Sequence, residues 1–168
     1  TTSPIRVAII GATYADGRDT MMEGESGLLA QLPAFLIPDG IEQHWNRSIG
    51  ELRLADGSLC KIHSSERGGR LRGPQWHKAW CDEPAEFKDA KEGLGKDTAV
   101  FNLFAGLRLG TNPQCIFTGT PKPVRLMKDL VQRCETEDRW VETRGTTYEN
   151  LVNLAPVFRD EVVSLYEG

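Results

Sequence analysis

Three short stretches hold the residues whose types and spacing could do chemistry. Asp82-Glu83 closes a short apolar run that begins at Trp76. Adjacent carboxylates at the end of a strand point to different sides and can take different jobs. Asp82 can hold a Mg²⁺ ion through its water shell, while Glu83 orients and polarises an attacking water. Alternatively, both acids cap a following helix, since carboxylates suit a helix N-terminus. Thr118-Gly119-Thr120-Pro121 lies 35 residues beyond Glu83, and its hydroxyls can sense a γ-phosphate or simply cap a turn. Arg67, Arg70 and Arg72 form the densest basic cluster. With Lys61 they set four cations against the single Glu66, enough to meet DNA phosphates or to offer an arginine to a neighbouring subunit. Lys122, Arg125 and Lys128 read as one basic face of a helix.

One motif is missing from these 168 residues. No G-x-x-x-x-G-K-[ST] phosphate loop occurs; Gly95-Lys96 is followed by Asp97, and Gly11 to Arg18 has the wrong glycine spacing and no lysine.

The elements that must position these residues alternate in type. Ile5 to Ile10 is β-branched and apolar, as in a parallel strand covered on both faces. A helix from Asp16 or Asp19 towards Leu32 is weakened by Gly24 and Gly27. Pro33 and Pro38 break the chain around Phe35, Leu36 and Ile37, a buried connection. Period-two runs on either side of Asp56-Gly57 predict a hairpin between Ser48 and Ser65. Glu66 to Gly73 reads as a basic, glycine-rich loop. A strand over 76–81 precedes a helix beginning near Pro84. A second helix, 98–109, carries its apolar stripe on Phe101, Leu103, Phe104 and Leu107. A strand over 114–118, an amphipathic helix over 124–133, a strand over 140–144 and a last helix over 156–166 follow. This order predicts an α/β fold, a mostly parallel sheet flanked by helices with an inserted β-hairpin, in a single domain. In such a sheet ligands bind beyond the carboxyl ends of the strands, where Gly11-Ala12-Thr13, Asp82-Glu83 and Thr118-Gly119-Thr120 all fall.

Composition narrows the class. With 39% hydrophobic and 26% charged residues the chain can bury a core and is not of the disordered type. Twenty basic against twenty-four acidic residues leave a net charge of −4, which excludes a strongly basic nucleic-acid coat but not a local basic patch. No apolar run approaches the roughly 20 residues of a membrane span, and Thr1-Thr2-Ser3-Pro4 does not start a signal peptide. A soluble protein of the cytoplasm is expected. Cys60, Cys81, Cys115 and Cys134 form no metal-ligand spacing with His44, His63 or His77, and read as free structural thiols.

Taken together, Arg70-Leu-Arg-Gly-Pro-Gln75, Ala79-Trp-Cys-Asp-Glu83 and Phe117-Thr-Gly-Thr-Pro-Lys-Pro123 resemble, in order and spacing, the ATPase domain of phage terminase large subunits. Ile9-Ile-Gly-Ala-Thr-Tyr-Ala-Asp-Gly-Arg-Asp19 and Thr146-Thr-Tyr-Glu-Asn-Leu151 extend the likeness over nearly the whole chain. The resemblance implies an additional-strand P-loop NTPase fold, incomplete at the N-terminus, that binds ATP and Mg²⁺ and drives double-stranded DNA into a procapsid in the bacterial host cytoplasm. By it, Asp82 is the Walker B magnesium residue, Glu83 the catalytic glutamate, and Thr118, Gly119 and Thr120 the coupling motif. Arg72 is a candidate arginine finger, within its subunit or across a boundary; Arg67 and Arg70 remain the DNA-binding candidates. The implied partners are duplex DNA, the portal protein, the small terminase subunit and further copies in a ring. Family members also carry a Walker A loop upstream and a nuclease domain downstream, so the chain reads as a middle piece, inactive alone. A superfamily 2 helicase fragment, suggested by Asp82-Glu-Pro-Ala85, and a non-catalytic prophage remnant are the alternatives.

Overall fold

The Asp56-Gly57 turn closes the hairpin that its sequence dictates. Asp56 accepts hydrogen bonds from the Ser58 amide (2.8 Å) and hydroxyl (3.0 Å), and Gly57 supplies the positive φ of 86°. Strands β3 (Glu51–Arg53) and β4 (Leu59–Ser64) pair antiparallel from this turn. In this computed structural model, which describes residues 3–146, 148, 149, 155 and 157, β4 is more than an insertion. It pairs parallel with β1 (Arg6–Gly11), making the hairpin's second strand a central strand of the sheet.

Two further parallel pairings complete the sheet. β1 pairs with β5 (Lys78–Asp82), and β5 with β6 (Gln114–Thr118). A two-residue β2 (Trp45–Asn46) covers the other side of β3, giving the order β2-β3-β4-β1-β5-β6. Because β4, β1, β5 and β6 run the same way, their carboxyl ends share one edge.

Alternation decides which residues face which layer. Ile9, Cys60 and Ile62 face one side, where they join Met21, Met22, Leu29 and Leu52 in a buried cluster against which Trp80 packs. A π-helical segment, Asp16–Met22, supplies the two methionines, and the short α1 (Leu28–Gln31) supplies Leu29. The expected single helix from 16 to 32 is thus cut at Gly24–Gly27. On the opposite side, Phe117 of β6 meets Phe104 of α3 (Ala99–Gly106) edge to face. Thr98 caps α3 by accepting the Phe101 amide at 3.4 Å. A further short helix, α2 (Ile41–His44), leads into β2.

Several expectations need correction. Phe35 is 74% exposed, not buried, because a 3₁₀ turn over Ala34–Leu36 rotates it outward; Leu36 and Ile37 are half-buried. The basic stretch after β4, read as a loop, forms 3₁₀ turns over Ser65–Leu71 that are kinked at Arg67 (φ −119°, ψ 41°). It is anchored by Leu71, fully buried, and by Gly68, where any Cβ would lie 2.9 Å from the Ala99 Cα. The helix expected at Pro84 is only a turn (Pro84–Glu86), since burial of Phe87 pulls the chain back to an extended conformation. The buried face of α3 is Ala99, Val100, Asn102, Leu103 and Gly106, with Phe101 turned outward, because small residues allow closer approach than the aromatic stripe would.

The chain separates into two compact units, Thr1–Gln132 and Arg133–Gly168, and the sheet belongs entirely to the first. Helix α4 (Arg125–Thr136) buries Leu126 and Leu130. The strand expected over 140–144 does not form: these residues have no ladder partner among the described residues, and Arg144 pairs locally with Glu142 at 2.7 Å. Nearby, Arg133 lies over the Trp140 ring at 5.2 Å. The helix expected over 156–166 lies outside the described residues. No helix among the described residues is long and apolar enough to cross a membrane. All four cysteines are free, and burial pushes the Cys81 thiol well above its ordinary range.

Candidate functional site

The β5–β6 register sets Asp82 opposite Thr118, the last residue of each strand. The Thr118 hydroxyl donates to Asp82 Oδ1 at 2.6 Å and accepts from the Trp80 indole N–H at 2.6 Å. Trp80 and Asp82 are two residues apart on one strand and therefore share a face. The sequence reading missed Trp80; the period-two spacing from Asp82 is the signal that marks it.

The ladder carries one step further. The Glu83 amide donates to the Thr118 carbonyl at 2.8 Å. The chain then turns sharply, because Glu83 adopts a left-handed conformation (φ 47°, ψ 55°). A side chain costs about 1–2 kcal/mol in that region, so the turn is held by its surroundings. Its effect is to fold the carboxylate back over β6, where both oxygens accept the Thr120 amide at 3.3 Å.

Gly119 makes this approach possible. Its φ is 154°, and an added Cβ would lie 3.1 Å from Glu83 Cα and 3.2 Å from Pro84 Cδ. Asp82, Glu83, Thr118, Gly119 and Thr120 therefore form one hydrogen-bonded constellation at the carboxyl edge. Asp82 and Glu83 are half-buried, Thr118 exposed. Neither acid acts as a side-chain helix cap. Asp82 Oδ1 is engaged by Thr118, while Oδ2 takes no hydrogen bond among the described residues.

The basic residues fall elsewhere. Arg72 is exposed and pairs with Asp97 at 3.5 Å; no hydrogen bond or ion pair joins it to Asp82 or Glu83. Arg67 and Arg70 line a separate cleft with Lys61 and Glu66. Lys122 is not on a helix face: it precedes α4 and pairs with Glu86, whose hydrogen bond, reinforced by Glu83, raises the Lys122 ammonium above its ordinary range. Arg125 pairs with Asp129 along α4 at 3.1 Å. No group of three or more potential metal ligands occurs among the described residues, so any cation at Asp82 would take its remaining ligands from water or substrate.

A layered α/β sheet with acid and hydroxyl tips on one carboxyl edge defines the class, and comparison with known proteins places the chain within it. Residues 2–168 match the family model described as terminase large subunit, T4likevirus-type, N-terminal, and the chain belongs to that family. Its fold is similar to that of the large terminase of a thermophilic bacteriophage in complex with ADP, with a TM-score of 0.67 and 14% identity; the match covers 100% of this chain and 39% of that one. A second crystal form of the same phage's large terminase matches with a TM-score of 0.53 and 11% identity over 95% of this chain and 40% of the other. The chain thus spans about two fifths of the length of these solved terminases. A search of curated protein sequences finds no match.

Proposed function

We propose that this chain carries the hydrolytic and coupling residues of an ATP-driven motor that packages double-stranded phage DNA. The observation that supports this best is the tie between the β5 and β6 tips, with Asp82 and Glu83 bonded to Thr118 and Thr120. Family membership makes DNA packaging the natural task, and the ADP bound by the thermophilic phage's terminase makes a nucleotide the natural substrate.

In this reading Glu83 orients and polarises the water that attacks the terminal phosphate. Its left-handed backbone and two-oxygen contact with the Thr120 amide hold the carboxylate in one place before substrate arrives. Asp82 suits Mg²⁺ because it offers a hard oxygen, Oδ2, while Thr118 fixes the orientation of the group through Oδ1. When bound, the ion would neutralise charge on the phosphates. Thr118 and Thr120 follow the carboxylates through their hydrogen bonds, so a change at Glu83 reaches β6 directly. Arg72, exposed and not bonded to the acids, is the candidate arginine finger of this reading, within its own subunit or across a subunit boundary.

These residues hold no phosphate loop, whose amides and lysine provide most β,γ-phosphate binding. The 168-residue chain alone accordingly binds ATP·Mg²⁺ weaker than low micromolar; calorimetry showing tighter binding overturns that point. Portal protein, small subunit, ring partners and a cytoplasmic site of action belong to the same proposal. Its central test is Glu83→Gln in the full-length motor. Nucleotide affinity should persist while turnover drops at least about 100-fold, as for loss of a general base. Retained turnover assigns the water to another residue.

A further inference from the structure

The 3₁₀ segment Ser65–Leu71 forms one wall of a cleft of about 730 Å³ beside the last residues of β4. Four cations line it: Arg6, Lys61, Arg67 and Arg70, against one lining carboxylate, Glu66. Lys61 is already committed to Glu51 at 2.8 Å. Arg6, Arg67 and Arg70 take no ion pair among the described residues, and the Arg6 guanidinium lies 5.6 Å over the Trp76 ring. None of the lining residues belongs to the Asp82–Thr120 constellation.

Two buried polar atoms of residues lining the cleft also lack hydrogen-bond partners among the described residues. Trp76 is fully buried, its Nε1 donor without an acceptor; His63, packed edge to face on Trp76 at 5.2 Å, has an unpartnered Nε2. A buried donor left unsatisfied is costly, but it is the three guanidinium groups without a carboxylate partner that suit the cleft to an acceptor-rich, negatively charged ligand. Burial, with Lys61 and Arg70 nearby, lowers the His63 imidazole to about 4, so the ring is neutral at neutral pH and does not add to the repulsion between the cations.

We propose that this cleft is a phosphate-binding site, occupied by the backbone of a DNA strand, with Arg6, Arg67 and Arg70 meeting the phosphates. The anionic chemistry follows from the cleft itself; the choice of DNA rests on the packaging reading above. Arginine supplies paired donors for phosphate oxygens, and each neutralised phosphate steepens the salt dependence of binding.

The test uses the 168-residue chain, a fluorescein-labelled duplex of about 20 base pairs, and inorganic pyrophosphate as a free phosphoanion. The duplex should bind with a log–log salt slope that becomes shallower by about two units in the Arg67→Gln/Arg70→Gln double variant, with roughly tenfold weaker binding at low salt. Arg108→Gln, a change outside the cleft, should leave both unchanged. Both mutated arginines are exposed, and an unaltered melting temperature shows that the fold survives. In parallel, pyrophosphate should shift the His63 ring resonances in the parent chain and not in the double variant. If the duplex binds the double variant as tightly as the parent, DNA is not the occupant. If pyrophosphate also leaves His63 unmoved, the cleft is no anion site, and the Glu83 reading is untouched. Turnover surviving Glu83→Gln while the cleft variants lose DNA would reject the motor chemistry and keep the cleft.

Discussion

The Thr118 hydroxyl stands between two side chains of the neighbouring strand, accepting a hydrogen bond from the Trp80 indole N–H and donating one to Asp82 Oδ1, each over 2.6 Å. Trp80 rests on the buried Ile9–Ile62 cluster, so the relay joins the hydrophobic layer to the polar edge.

Thr118→Val should break this relay at both ends. An orphaned indole donor and a carboxylate oxygen without its donor together cost about 1–2 kcal/mol, and Thr118→Ser should recover most of it. Urea denaturation of the chain measures the loss, and Trp80 emission reports the changed contact. In the full-length motor, Val should lower ATP turnover more than nucleotide affinity.

Gly119→Ala tests the close approach at the tip. The new methyl group would press on Glu83 Cα and Pro84 Cδ and adopt a backbone conformation that side chains avoid. A loss of about 1–3 kcal/mol is expected, with turnover in the full-length motor falling as Glu83 is displaced. An unchanged midpoint would mean that the β5 and β6 tips are free to separate.

Acid should weaken the fold through His63. Its folded pKa of about 4 lies below the unfolded value of 6.5, so between these values the unfolded chain binds a proton that the folded one refuses. Stability is therefore flat above pH 6.5 from this group and falls as the pH drops from 6.5 towards 4, by up to about 3 kcal/mol. His63→Gln should remove the slope in that window. A lower-pH loss will remain from Glu51, whose hydrogen bonds from Lys61 and Arg53 hold its carboxyl below the ordinary range.

Leu71→Ala should cost about 2–5 kcal/mol, as for truncation of a fully buried leucine. The same change frees the arginine-bearing segment from α3. Amide exchange over 65–72 should rise well beyond the change seen in β1.

Much of the site was legible because it lies on strands. The apolar runs ending at Asp82 and Thr118 mark their own boundaries, and alternation then fixes the faces. What pattern reading could not supply was the pairing of those strands, a long-range property of the sheet order. Nor could it reveal that Arg67 and Arg70 wall a cleft, since the anchors Gly68 and Leu71 act through contacts with Ala99 and the core. Glu83 misled for a related reason. An acid before Pro84 reads as a helix start, yet tertiary contacts with Thr118 and Thr120 impose a left-handed turn. Phe101 shows the same override: small Ala99 and Gly106 pack more closely, and the helix rotates to use them.

The one-to-one pairing of β5 with β6 has a mechanical corollary. A slip of one residue would present Phe117 to Asp82 and reverse every facing side chain, while a slip of two would travel about 6.6 Å. Small, graded sliding between these strands is thus ruled out. With the register fixed, the two strand ends stay level, and the chain leaves β6 at Gly119, whose φ of 154° turns it towards Thr120.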